Sequence, residues 1–251
     1  MTLLIMKKEL RSFFKSPTAY IIAGLFAAIT GYIFYNLLIS FVENTQNLPG
    51  QYKTKLDFIN SVIIQLFSNI NLFLLFFCPI LTMKMFAEEK KDSTIDLYFS
   101  APVKDYELVL GKFFASIIMG CFLLSITLIY PVILWSIQAS DFSFIISGYL
   151  GLFLNMVSYL SLGLFASSLT SNQIVASVIS YVGIMGFWVI SWASQISTNY
   201  IYSEFFKYIT IVRHFEMFVK GITSTSDLVY YFSFIFIWIF LTKKVLESRN
   251  W

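Results

Sequence analysis

Apolar residues run without a charge through six stretches, roughly 19–41, 61–83, 113–135, 144–169, 173–192 and 228–241, and the charged residues are collected between them. A helix rises about 1.5 Å per residue and needs about twenty residues to cross some 30 Å of hydrocarbon, so the first five stretches can span a bilayer unaided. The sixth, Leu228 to Leu241, would cover only about 21 Å. It is expected to take in Ser226 and Asp227 at one end and to let Lys243 and Lys244 snorkel at the other. Alternating segments of about ten residues, the mark of a membrane barrel, do not occur. The pattern predicts an all-α integral membrane protein with six transmembrane helices, forming one domain over residues 1–251.

The polar segments predict further elements. Residues 1–18 read as an interfacial helix, with Leu3, Met6, Leu10, Phe13 and Phe14 on one face, Lys8, Arg11 and Lys15 on another, and Pro17 turning the chain into the first span. Met83 to Lys112 is a dense island of charge that is expected to sit in water. Within it Ser93 to Asp96 fits a capping box that would start a short helix, Thr94 to Phe99, stopped by Ala101 and Pro102. Asp105 would cap a second helix running into the third span. A second island, Ala193 to Asp227, repeats Phe205, Ile209, Val212, Phe215 and Val219 at helical spacing and predicts one amphipathic helix with Gly221 beyond its end.

Composition agrees with the pattern: 58% of the residues are hydrophobic and 12% charged, about half the charge of a soluble domain. The net charge of +3 gives no reason to expect nucleic acid as a partner. Its distribution is more informative. Twelve of the seventeen Lys and Arg fall on the side that holds both termini and the first island, which predicts that this side is cytoplasmic and the second island external.

The residues that carry chemistry elsewhere are missing or isolated. Gly111-Lys112 is followed by Phe113, and Tyr106 stands where a phosphate loop begins with glycine, so ATP is expected on another chain. No apolar stretch holds an Asp, Glu, Lys, Arg or His of the kind an ion-coupled transporter or an intramembrane enzyme needs, so neither catalytic residues nor a cofactor is expected. Asn36, Gln65, Asn69, Asn71 and Asn155 read first as interhelical hydrogen bonding and second as the lining of a substrate path. Cys78-Pro79 reads as a helix kink. His214, the single histidine, reads as a polar contact, since zinc needs three or four ligands and no metal site is predicted. Gly120, Gly148, Gly151, Gly163, Gly183 and Gly186 read as close-packing positions.

The run Glu88-Glu89-Lys90-Lys91-Asp92-Ser93-Thr94-Ile95-Asp96-Leu97, followed by Ser100-Ala101-Pro102-Val103 and Leu108-Val109-Leu110-Gly111-Lys112-Phe113, resembles the cytoplasmic loop of type-2 ABC exporter permeases. Ser93 stands where that family usually has glycine. Lys8-Glu9-Leu10, Phe13 and Ser16-Pro17 resemble the family's interfacial connecting helix. His214-Phe215, Phe218, Lys220-Gly221, Asp227 and Tyr230-Tyr231 resemble the branch containing the gliding-motility and nitrous-oxide-reductase-maturation permeases.

The resemblance implies the permease subunit of an ATP-driven exporter in a bacterial inner membrane. Its partners would be a cytoplasmic ABC ATPase subunit, which hydrolyses the ATP, and a second permease, identical or paralogous. It assigns coupling to Glu88, Glu89, Thr94, Asp96 and Leu97 and the interfacial helix to Lys8, Glu9 and Phe13. Alanine at Glu88 and Glu89 is expected to leave insertion intact and to uncouple hydrolysis from transport. A membrane anchor of a motility or secretion machine, which transports nothing, is the alternative the island also fits.

Overall fold

Eleven helices and one π turn account for the described residues, which are 1–47, 58–94, 104–137, 142–196 and 200–248 of a computed structural model. They are α1 (Thr2–Lys15), α2 (Pro17–Asn47), a π turn over Ile59–Ile63, α3 (Ile64–Thr82), α4 (Lys84–Lys91), α5 (Asp105–Thr127), α6 (Ile129–Ile137), α7 (Phe142–Leu169), α8 (Gln173–Ile196), α9 (Tyr200–Ile209), α10 (Ile211–Val219) and α11 (Thr225–Glu247). Six stretches of helix are long and apolar enough to cross a membrane, as the hydropathy pattern predicts: Pro17–Asn44, Ser61–Lys91, Asp105–Leu134, Ser143–Leu169, Gln173–Trp192 and Thr225–Glu247. The last takes in Asp227 and Lys243 as expected.

The helices run further than the apolar stretches because hydrogen bonding does not stop where hydropathy does. Pro17 opens α2, where its missing N–H is no loss. The second span continues past a break at Met83 into the charged residues of α4. Thr82 donates to the Cys78 carbonyl at 3.1 Å just before the break, and helix persists through Pro79. Lys104, rather than Asp105, is the N-cap of α5, and the Glu107 carboxylate accepts from the Lys104 N–H at 3.3 Å.

Ser93 does not start a helix. It has φ +55° and lies just beyond the end of α4. There the Thr94 N–H donates to the Glu89 carbonyl at 3.0 Å and the Ser93 N–H to Lys90 at 3.4 Å, the paired bonds of a Schellman ending. A residue in the left-handed region cannot serve as an N-cap, which needs extended backbone. The position suits glycine. The expected helix Thr94 to Phe99 otherwise lies outside the described residues, as do Asp96 and Leu97.

The second island forms two helices, not one. Thr210, at φ −83° and ψ 133°, separates α9 from α10. Carbonyls freed at the end of α9 find donors elsewhere: the Tyr230 hydroxyl donates to Ile209 at 2.5 Å and the His214 imidazole to Tyr208 at 2.9 Å. Gly221, at φ +78°, ends α10 as expected, with Ile222 N–H reaching back to the Met217 carbonyl at 2.9 Å.

The bundle is built around α7, whose spanning window is 83% buried against 17% for those of α2, α8 and α11. Small residues let neighbours approach it: Gly148 faces Phe67, Gly151 faces Phe218 and Gly163 faces Thr82. Gly186 has open space around it instead. Of the polar residues expected to bridge helices, Asn155 donates to Asn71 at 2.5 Å, whereas Asn36 and Asn69 donate to carbonyls of their own helices. Ser167 of α7 accepts from the Phe86 and Ala87 N–H groups at 3.0 and 3.1 Å, catching two of the donors exposed at the break before α4. Lys90 donates to the Ser168 carbonyl. The charged helix α4 is thereby held rigidly on the end of α7.

Candidate functional site: a buried charge cluster

The expectation that the whole of Met83 to Lys112 lies in water fails at Met85, Phe86, Ala87, Leu108, Val109 and Gly111 and, among the charged residues, at Glu89 and Lys112. Lys112 is fully buried and Glu89 nearly so, because α1 folds over both. Gly111 makes the overlay possible. A Cβ there would stand 2.9 Å from the Ile5 Cβ and 3.0 Å from the Thr2 carbonyl oxygen, so only a residue without one lets α1 lie this close to α5. The face α1 presents is correspondingly Ile5, Glu9 and Phe13, spaced by four. Of the apolar face expected of α1, Met6, Leu10 and Phe13 pack against the core and Leu3 is exposed.

Lys112 lies within ion-pair or hydrogen-bond distance of three oxygens, donating to Glu9 Oε1 and the Met85 carbonyl and pairing by charge with Glu89 Oε2. Its Nζ lies 2.9 Å from Glu9 Oε1, 2.8 Å from Glu89 Oε2 and 2.6 Å from the Met85 carbonyl, with the Phe86 ring centroid at 5.3 Å. Lys8 donates to Glu89 Oε1 at 3.1 Å from a side chain that remains 58% exposed. Two lysines and two glutamates therefore form a neutral cluster drawn from three elements. A lone buried ammonium would be costly, and this one is paired with two carboxylates and donates two hydrogen bonds.

Three of the predicted residues, Lys8, Glu9 and Glu89, meet in the cluster. Glu88 and Thr94 are exposed nearby, and Phe13 lines an adjoining cavity of about 550 Å³. Thr94 turns its hydroxyl toward the Glu89 carbonyl at 3.4 Å. Lys112, the centre of the arrangement, was not among the residues singled out. Its local signal, a lysine at the head of an apolar run, is the same one a snorkelling anchor gives.

At the opposite end of the bundle the second island makes its own buried pair. His214 Nδ1 lies 2.6 Å from Asp227 Oδ1, and the imidazole stacks on Tyr230 with centroids 3.9 Å apart. Since the Tyr208 carbonyl can only accept, Nε2 carries a proton, and one further proton is shared between Nδ1 and the carboxylate. Phe215, Phe218 and Tyr231 pack around this pair. No three His, Cys, Asp or Glu among the described residues are placed to hold a metal ion.

No curated protein matches the chain. Residues 3–244 match the family described as ABC-2 family transporter protein, from the start of α1 to the last turn of α11. With helices able to cross a membrane six times and a match over nearly its whole length, the chain belongs to the ABC-2 family and is a multi-pass membrane component of an ABC transporter.

Proposed function

We propose that the chain is the permease subunit of an ATP-driven exporter of a bacterial inner membrane, working with a separate cytoplasmic ATPase and a second permease, and that the Lys112 cluster is where the ATPase's movement enters the membrane helices. The observation that carries this reading is the tie between elements: one buried ammonium holds Glu9 of α1 and Glu89 of α4 while belonging to α5. Displacement of α1 or α4 must then move the third span or break a buried ion pair. Such a linkage suits the transmission of a conformational change. Glu88 and Thr94 are exposed at the end of α4, where they can meet the ATPase, and Asp96 and Leu97, outside the described residues, are assigned the same role. The charge asymmetry supports an orientation with both termini cytoplasmic. The grouping of Phe215, Phe218, Tyr230 and Tyr231 about His214 and Asp227 is consistent with the gliding-motility and nitrous-oxide-reductase-maturation branch.

The test replaces Glu89 with glutamine, because alanine at Glu89 leaves Lys112 buried with two of its three partners. In the reconstituted complex, Glu89→Gln is expected to preserve insertion and assembly and to weaken the link between hydrolysis and transport about fivefold or more. Unchanged transport per ATP in this variant would remove the cluster from the coupling path. An assembled complex whose ATPase rate never responds to any transported compound would favour the anchor reading instead.

A further inference from the structure

The cavity beside the charge cluster has an uneven lining. It is apolar at Ile21, Ile22, Ile80, Leu81 and Met119, of which Ile21 is exposed on the outer side of the first span, and charged at Lys84, Glu88 and Asp92. Its volume of about 550 Å³ falls within the range of about 300–1,000 Å³ typical of small-molecule sites. Pro17 begins the first span, and about 1.5 Å per residue places Ile21 and Ile22 about 6 to 8 Å along it. The apolar half therefore lies at the depth of acyl chains and the charged half at the depth of headgroups, in the leaflet beside α1.

The charges at the mouth select among headgroups. Lys8 and Lys112 are engaged with Glu9 and Glu89. Lys84, Glu88 and Asp92 form no ion pair with one another or with any other described residue. They follow each other at four-residue intervals along α4 and its end, so one cation stands about one helical turn from a carboxylate. An anionic headgroup would meet two carboxylates against one ammonium. A phosphate carrying its own amine meets Lys84 with the phosphate and Asp92 with the ammonium.

From this complementarity we propose that the cavity between α1, α2 and the break at Met83 binds a zwitterionic aminophospholipid of the bilayer, with its chain among Ile21, Ile80 and Met119 and its amine at Asp92. The site lies within a single chain and needs no transported compound. Its assignment to the cytoplasmic leaflet rests on the proposed orientation. The bound lipid wedges beside the Lys112 cluster, so that the bilayer itself becomes a support for the posture of α1.

The full chain is reconstituted in phosphatidylcholine vesicles containing a small fraction of phosphatidylethanolamine with a photoactivatable diazirine in one acyl chain, and labelled peptides are read by mass spectrometry. Labelling is expected on the peptides carrying Ile21 and Ile80, and excess unlabelled phosphatidylethanolamine should displace it about tenfold better than phosphatidylglycerol. Lys84→Gln with Asp92→Asn should lower it about tenfold, and Ile21→Trp should fill the chain site and lower it without touching a charge. Equal displacement by both lipids would overturn the headgroup assignment. Labelling unchanged in both variants, or spread evenly over the outer faces of α8 and α11, would overturn the site. Loss of ATPase copurification in the charge variant with labelling unchanged would assign the carboxylates to a protein partner and also overturn it. Because the variants leave Glu9, Glu89 and Lys112 intact, failure here does not touch the coupling reading, and failure of Glu89→Gln does not touch the lipid site.

Discussion

Replacing Lys112 with methionine tests the central feature of the molecule most directly. The side chain is fully buried and its ion pairs are 2.8 and 2.9 Å long, while Glu9 and Glu89 keep 14% and 11% of their side chains exposed. Coulomb's law at that separation with an effective dielectric of about 20 gives about 6 kcal/mol for each pair, from which several kcal/mol of desolvation must be subtracted. Methionine keeps the volume but leaves two carboxylates facing each other with only Lys8 to share. Removing one partner of a buried pair costs about 3 to 5 kcal/mol, and access of water to the carboxylates places this case near about 3. At about 2 to 4 °C per kcal/mol for a chain of this size, the melting midpoint in mild detergent should fall by on the order of 10 °C. Lys8→Met is the control: it removes the same formal charge from an exposed position and should cost under about 1 kcal/mol. The variant Lys112→Met with Glu9→Gln and Glu89→Gln should recover most of the loss, since neutral isosteres need no ammonium. If Lys112→Met melts with the wild type, or if the triple variant is no better than the single one, the argument from buried charge is wrong.

Three further outcomes follow from local geometry. Gly111→Val should lift α1 from α5, costing about 1 to 3 kcal/mol of overpacking, and a cysteine placed at Ile5 should then react with a maleimide that does not reach it in the parent. Ser93→Gly should raise the melting midpoint slightly, because a left-handed non-glycine residue costs about 1 to 2 kcal/mol and glycine returns part of that in entropy; a lower midpoint would contradict the Schellman ending. Asp227→Ala should leave His214 buried without its partner and loosen α10, seen as faster proteolysis in the α9–α10 segment; His214→Phe with Asp227→Leu should be the milder change, and equal sensitivity would show that the pair is not what holds this segment.

Much of this architecture can be read locally. The six spans follow from length and hydropathy, the turn at Pro17 from the missing N–H, and the ending at Gly221 from its tolerance of positive φ. The errors arose where neighbours in space compete with neighbours in sequence. Ser93 carries a capping signal toward Asp96, yet the helix before it claims the same residue as its own ending. The helical spacing from Phe205 to Val219 is continuous, yet His214 and Tyr230 take the carbonyls at the end of α9 and allow the break at Thr210.

Six stretches able to cross a membrane, and Gly111-Lys112 at the close of the charged segment before the third of them, are legible without the fold, because hydropathy, length and backbone preference belong to each segment alone. Only the tertiary structure decided that Lys112 turns inward. A lysine at the edge of an apolar run can extend to water or accept a partner, and the choice depends on carboxylates supplied from elsewhere. Glu9 lies 103 residues away along the chain, and the Lys8 that steadies Glu89 lies 81 residues from it. No local pattern registers such separations; the overlay of α1 on Gly111 brings the charges together.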